Sequence, residues 1–463
     1  MRGNRVLAAG VTLGIGVALA AAAGSASAAG FAISEQSVKG LGNAYAGGAA
    51  AAEDGSTIYF NPAGMSRLRG TQIDFGGQVI MPSTHFSNGS SNLGGALSAF
   101  PLTGNDGGDG GVTAFVPNIY VTHSLNRRVT LGLGVNAPFG LVTDYNAGWI
   151  GRYHALRSDL RTVNLNPSIS FKVNKYVSVG AGFSAMHTHV NLTNALDFSS
   201  VCLGLQQQGK VAAGTCSALG LGTPANPATD GFSKLEGDSW GFGYNVGILL
   251  QPRPDTRVGV SYRSRVLQNL KGTAYFQVPA AAVPVALASH AFSQTGGSAS
   301  LDLPDSLSVS ALHQITPAWA VMADVTWTNW SRFQQLVVRF DNPAQPPNIT
   351  PEHWRDTMRY SLGATWSPVG RPYTLRTGIA WDETPVPSAA LRTPRIPDQN
   401  RFWLAFGGSY RLSNALSVDA SYAHLFVNDT GINNAEINTG HVLSGQFSSD
   451  VDIVGVQLVW KMH

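Results

Sequence analysis

The chain has 463 residues, a formal charge of +3 and only 12% charged residues, about half the roughly 25% usual in soluble proteins. So weak a balance argues for neither nucleic acid nor an acidic partner, and no internal run of about 18 apolar residues could cross a membrane as a helix. Low charge with 53 glycines leaves two architectures: an array of soluble β-sandwiches, or a membrane β-barrel whose apolar residues occupy alternate positions.

The first residues favour export. Arg2 and Arg5 precede an apolar stretch from Val6 to Ala23, and Ala26-Ser27-Ala28 offers the small-x-small site of a signal peptidase. Cleavage is predicted after Ala28, making residues 1–28 a signal peptide. It would remove two arginines and no acids, lowering the formal charge from +3 to +1. An uncleaved anchor helix is the alternative. Residues 29–70 follow, rich in Gly and Ala and too short to build their own core. They include Asn61-Pro62-Ala63, where proline cannot donate to a sheet ladder. Such a segment must be ordered against something else, and the lumen of a wide barrel would serve.

From residue 71 the chain alternates. Val163, Leu165, Pro167, Ile169, Phe171 and Val173 share one face, and Thr162, Asn164, Asn166, Ser168, Ser170 and Lys172 the other, as period two requires of a strand. Pro167 predicts a bulge or a missing bond there. Fourteen such segments are predicted, near 71–81, 114–124, 129–142, 158–173, 176–194, 234–251, 256–278, 295–315, 318–340, 355–367, 372–384, 399–412, 415–428 and 447–461. Connections alternate strictly between tight turns, such as Asn126-Arg127 and Asn174-Lys175, and long loops. Outer-membrane barrels have short periplasmic turns and longer external loops; a sandwich has no reason for the alternation.

Several segments stand out along the way. In the third strand Gly132, Gly134, Asn136 and Pro138 share a face and suit a kink, although ordinary bulges also use Gly and Pro. Arg263 and Arg376 have lumen parity, and Asp382 is the expected partner of Arg376. His187 and His189 share a strand face, but zinc sites need three or four ligands, so no metal is expected. Cys202 and Cys216 read as a disulfide in an oxidising compartment, free thiols being the alternative. The loop around them is unusually apolar, with Leu203, Leu205, Leu219 and Leu221, and so is 279–294, with Val283, Val285 and Leu287. Exposed apolar loops mark a binding groove, or else pack on one another. There is no G-x-S-x-G elbow and no phosphate-binding P-loop, so neither an enzyme nor a cofactor is expected.

The ordered set AGFAISEQSVKGLGNAYAGGAAAAEDGSTIYFNPAGM (29–65), APFGLVTDY (137–145), SDLRTVNLNPS (158–168), WGFGYNVGILL (240–250), NWSRFQQL (329–336), LRTGIAWDETPVP (375–387) and IPDQNRFWLAFG (396–407) resembles FadL-type long-chain fatty-acid transporters of the Gram-negative outer membrane. The resemblance implies an all-β fold, a fourteen-stranded antiparallel transmembrane barrel (71–463) closed by an N-terminal hatch (29–70). It implies capture of a hydrophobic molecule between loops 195–233 and 279–294, passage to a lumen pocket, and lateral exit at the third-strand kink. It places Phe31 in the deep pocket and Asn61, Pro62 and Ala63 against the kink. It also implies an outer-membrane location, a monomer, and contact with outer-membrane lipid and lipopolysaccharide. Where the family carries basic residues for a carboxylate, this chain offers His189 and Val337, which leaves neutral aromatic or aliphatic hydrocarbons as alternative cargo. A passive porin for small solutes is the remaining alternative.

Overall fold

The computed structural model describes residues 30–95 and 98–462, so the predicted cleavage site lies outside the described residues. Twenty strands form one sheet. The first ten are β1 Thr71–Asn88, β2 Ala114–Ser124, β3 Val129–Asn136, β4 Gly140–Asp144, β5 Arg157–Lys172, β6 Val177–Asp197, β7 Asp230–Arg253, β8 Thr256–Arg263, β9 Val266–Gln277 and β10 Thr295–Leu303. The rest are β11 Ser306–Gln314, β12 Trp319–Thr328, β13 Gln335–Phe340, β14 Asn348–Pro351, β15 Thr357–Trp366, β16 Tyr373–Asp382, β17 Arg401–Arg411, β18 Leu416–Val427, β19 Thr430–Ala435 and β20 Val442–Met462.

β1 pairs antiparallel with both β2 and β20, which closes the sheet into a barrel. Five crossings are interrupted, giving the halves β3/β4, β8/β9, β10/β11, β12/β13 and β18/β19, and β14 is a short addition beside β13. The barrel therefore has fourteen antiparallel crossings. Four of the interruptions fall inside segments that alternate without a break in sequence, whereas β19 lies beyond the predicted segment 415–428. Between β12 and β13, for example, Trp330 and Phe333 turn inward and are buried. Pro167 leaves a gap in the β5–β6 ladder, with the same register on either side and no bulge. The Asn166 side chain donates to the Phe183 carbonyl there at 2.8 Å.

Alternation decides the two faces. Trp240, Phe242, Tyr244, Val246, Ile248 and Leu250 of β7 are exposed on the outside, as a lipid-facing band requires. Asn164, Asn166 and Asn245 are fully buried on the inside. Residues 30–70 fill much of the lumen. Three one-turn helices, α1 Val38–Leu41, α2 Gly48–Ala51 and α3 Thr57–Phe60, lead into a 3-10 helix, Pro62–Arg67. Ile33, Leu41, Ala44 and Tyr45 pack on wall residues Ile80, Val116, Trp403, Leu425 and Ile453. The hatch carbonyls that its short helices leave open are met by arginines from the wall. Arg257 donates to Ala51, Arg263 to Tyr59 and Arg359 to Ala44, at 2.5, 2.9 and 2.9 Å.

Candidate functional site

The Asn61-Pro62-Ala63 turn is a wall contact. Asn61 caps the 3-10 helix by accepting from the Ala63 N–H at 3.1 Å. Its Nδ2 donates to the carbonyls of Ala49 at 2.7 Å and of Ile248 on β7 at 3.0 Å. The turn lies so close to the wall that the facing cross-strand pair, Gly180 and Gly247, has no room for side chains. A Cβ on Gly247 would sit 2.0 Å from Asn61 Oδ1, and one on Gly180 would sit 2.3 Å from the Ala63 nitrogen.

The β3–β4 break spans Ala137, Pro138 and Phe139. β2 pairs with β3 only as far as Ile119↔Val135, and β4 pairs with β5 but not with β2. Residues 114–118 of β2 thus have β1 on one side and the break on the other. Prolines, which lack a donor, stand on both flanks at Pro117 and Pro138. The N-terminal arm covers the break from inside. Ile33 N–H donates to Pro138 O at 2.8 Å, and Gly140 N–H to Phe31 O at 2.9 Å. Gln36 clamps Ala137 at both polar groups, donating to its carbonyl at 2.8 Å and accepting from its N–H at 3.3 Å.

Phe31 points from that arm into an aromatic box, with ring centroids 4.7 Å from Trp330, 5.6 Å from Phe333 and Trp354, and 6.2 Å from Phe139. Gly30 must be glycine: its φ is +64° and a Cβ would meet Trp354 at 2.7 Å. Phe31 also forms part of an inner cavity with about 950 Å³ of unfilled space, its mouth included. Its lining is chiefly aliphatic and aromatic, including Leu141, Leu160, Leu270, Leu301, Phe333 and Ile396. Above it lies a vestibule of about 2260 Å³. The two share Leu192, Leu235, Leu336, Val338, Phe340, Thr350 and Arg395 as lining.

Two ionisable groups from loops interrupt the apolar lining. Arg395 donates to Ser158 Oγ at 3.0 Å and to the Arg157 carbonyl at 3.3 Å. No carboxylate of the described residues lies within 4.0 Å of it, and burial pulls the guanidinium down to about 10. Glu352 is 4% exposed and accepts the Trp354 indole N–H at 2.8 Å. Burial pushes its carboxyl up to about 8, against the opposing pull of that hydrogen bond and of Arg395.

Residues 19–461 match the model of the family described as outer membrane protein transport protein (OMPP1/FadL/TodX). The chain belongs to this family. It is 31% identical to the long-chain fatty acid transport protein of Escherichia coli, covering 88% of this chain and 89% of the relative. It is 33% identical to the 47 kDa outer membrane protein of Pasteurella multocida over 86% and 87%. In fold it matches the crystal structure of a Pseudomonas aeruginosa FadL homologue with a TM-score of 0.84 at 24% identity, covering 94% of this chain and 100% of that one. The protein is an outer-membrane barrel of a family of transport proteins.

Within this FadL-type frame several expected placements are corrected. Asn61 bonds the β7 wall instead of the kink. Gly132 and Gly134 lie below the break, facing the hatch: Met65 and Ile58 occupy the space a side chain at Gly132 would take, and Tyr120 and Ile58 crowd that at Gly134. The break itself contains Pro138 and begins just after Asn136, the last residue of β3. His189 shares the outward face of β6 with Val179 and Phe183, and its Nδ1 contacts Asp238 at 2.9 Å. Alternation likewise turns Val337 away from Leu336 and Val338, which line the cavity. Arg376 bonds Glu53 of the hatch at 3.0 Å, while Asp382 lies 3.8 Å from Arg401. Arg263 does face inward, stacked on Tyr59.

The apolar loops form α4 Phe198–Gln207, α5 Thr215–Ala218 and α6 Val283–Ser289. Cys202 and Cys216 are bridged. Leu205, Leu221 and Val285 are buried around that bridge, with Leu203 and Leu219 packed alongside, while Val283 and Leu287 are exposed. Of the seven expected groove residues only Leu205 lines the vestibule. The loops thus spend most of their apolar surface on one another. Sequence reasoning missed Arg395, Glu352, Trp330 and Trp354. Arg395, Glu352 and Trp354 lie outside the alternating segments, where period two carries no information about direction; Trp330 has inward parity within the predicted segment 318–340, which assigns it a face but no role.

Proposed function

We propose that this protein takes up long-chain fatty acids across the outer membrane. Cargo enters the vestibule, moves into the inner cavity with its carboxylate on Arg395, and leaves sideways at the β3–β4 break when the arm 31–33 lifts. The observation that carries this reading is Arg395, a cation with no carboxylate of the described residues within ion-pair distance, at the junction of vestibule and apolar cavity. A cavity built for neutral hydrocarbons gains nothing from such a group, because an unpaired buried charge is costly. A cavity for an amphipathic anion recovers that cost when the ligand binds. Each CH₂ moved from water into the apolar lining adds about 0.8 kcal/mol. Staying in apolar surroundings to the exit lets the cargo diffuse down its gradient without a nucleotide or catalytic group. A single barrel with its outer face in outer-membrane lipid and lipopolysaccharide suffices.

The test is uptake and binding of a matched pair, a long-chain fatty acid and a neutral aromatic hydrocarbon, by wild type and Arg395→Met. At equal surface expression the variant should lose about tenfold or more of fatty-acid affinity, in line with loss of a charge-assisted bond of about 1.5–3 kcal/mol, and keep its hydrocarbon affinity. Equal loss for both ligands, or none for either, counts against Arg395 as the anchor.

A further inference from the structure

We propose that Glu352 is a second head-group ligand, its protonated carboxyl donating a hydrogen bond to the carboxylate that Arg395 attracts, so that fatty-acid binding requires the neutral form of Glu352. This rests on the fatty-acid reading above.

The geometry assigns the two oxygens. Oε2 accepts the Trp354 indole N–H at 2.8 Å. An indole nitrogen only donates, so Oε2 is the carbonyl-like oxygen and the proton of the neutral acid sits on Oε1. Glu352 lines the same cavity as Arg395 yet lies beyond ion-pair distance of it. A carboxyl in apolar surroundings, with Arg395 beyond ion-pair distance and its pull weaker than the effect of burial, is held neutral. Neutral, it offers an O–H to an incoming anion, and such O–H···O⁻ bonds are short and strong. Ionised, it would repel the same anion across a medium of low dielectric.

The other charged groups around the cavity are occupied. Asp159 of β5 is held by Arg157 at 3.0 Å and Arg161 at 2.7 Å, and Glu236 of β7 by Lys234 at 2.6 Å. Lys271 of β9 is exposed on the outer face. Beside Glu352 in sequence, His353 bonds Gln334 and is exposed, and Arg355 is exposed. Arg395 is the charged group left facing Glu352 across the cavity. The sign follows from the raised value: the neutral form dominates below about 8 and is lost as pH rises through it. Laurate stays ionised throughout that window, and Arg395, drawn down to about 10, keeps most of its charge up to about pH 9.

The experiment follows laurate and 1-dodecanol binding to the purified full-length protein in detergent, at about pH 6.5 and about pH 9, through the fluorescence of the adjacent Trp354 and Trp330. For wild type the laurate dissociation constant should rise about tenfold or more between the two pH values, while dodecanol should change less than about twofold. Glu352→Gln keeps an acceptor for the indole and a donor for the ligand. It should bind laurate at the lower pH about as wild type does and show no rise at the higher pH. A merely structural Glu352, anchoring Trp354, predicts no pH dependence of this kind. Laurate affinity independent of pH, or a pH dependence that survives in Glu352→Gln, overturns the proposal. Absence of laurate binding at either pH, with dodecanol still bound, instead removes the fatty-acid reading on which it stands.

Discussion

One close fit of the hatch to the wall comes down to three side-chain positions. Asn61 supplies both bonds to neighbouring carbonyls, and Gly180 and Gly247 supply the room. Asn61→Ala would remove both bonds and take this donor from the buried Ala49 carbonyl, at about 1–3 kcal/mol, while the Ile248 carbonyl keeps its place in the β7 ladder. Gly247→Val acts from the other side. Its new side chain claims the space of Asn61 Oδ1, and overpacking of this kind costs about 1–3 kcal/mol. The wall is continuous ladder on both sides of β7 at this level, so the hatch should yield first. Gly247→Val should therefore raise ion conductance in planar bilayers while the barrel keeps its resistance to unfolding in detergent. Conductance as low as in wild type would show that the turn does not need this contact. No rule of strand alternation could have pointed Asn61 at β7, because the triplet lies outside the period-two pattern and its partner is 187 positions away in the chain.

Among the elements, the strands were legible because each must present one face to lipid and one to the lumen, and that demand writes period two into the sequence. β5 and β7 follow it residue by residue. The breaks were not legible, since apolar alternation runs through residues 129–142 although the chain leaves the ladder at Ala137. Only Pro138 hinted at it. The external loops were legible as apolar but not as a fold. Their apolar residues gather around the Cys202–Cys216 bridge into a small core of α4, α5 and α6. Closing that loop of about fourteen residues contributes up to about 3 kcal/mol in the chain-entropy model. Lys210 is exposed within it and is its single trypsin site. The double variant Cys202→Ser, Cys216→Ser should be cut at Lys210 about ten- to a hundredfold faster than the oxidised wild type. Reduction of the wild type should reproduce the effect, and the barrel strands should remain intact. Equal cleavage rates would mean that packing of α4 against α6 orders the loop without the bridge.

For the whole molecule, the β3–β4 break poses a problem of accounting. A barrel can span a membrane because every backbone group finds a partner, and here one stretch of wall finds its partners inside, on the arm 31–33 and on Gln36. The same arm carries Phe31 into the cavity where cargo is proposed to sit. Occupation of that cavity and coverage of the break therefore compete for one segment. Cargo that displaces Phe31 from Trp330 and Trp354 also loosens the bonds to Pro138 and Gly140. Ala32 and Phe139 face each other in the bridge between arm and break, flanked by the Ile33–Pro138 and Gly140–Phe31 bonds. That is the closely spaced kind of antiparallel pair, suited to a cross-strand disulfide. Ala32→Cys with Phe139→Cys would lock the arm across the break and leave the vestibule open. Oxidised, this variant should take up fatty acid at less than about a tenth of its reduced rate, the tenfold loss expected if about 1.4 kcal/mol or more of opening is blocked. It should still bind laurate, and each single variant should respond little to reductant. Uptake that is the same in both redox states would place the exit elsewhere, with the arm serving only to seal the wall.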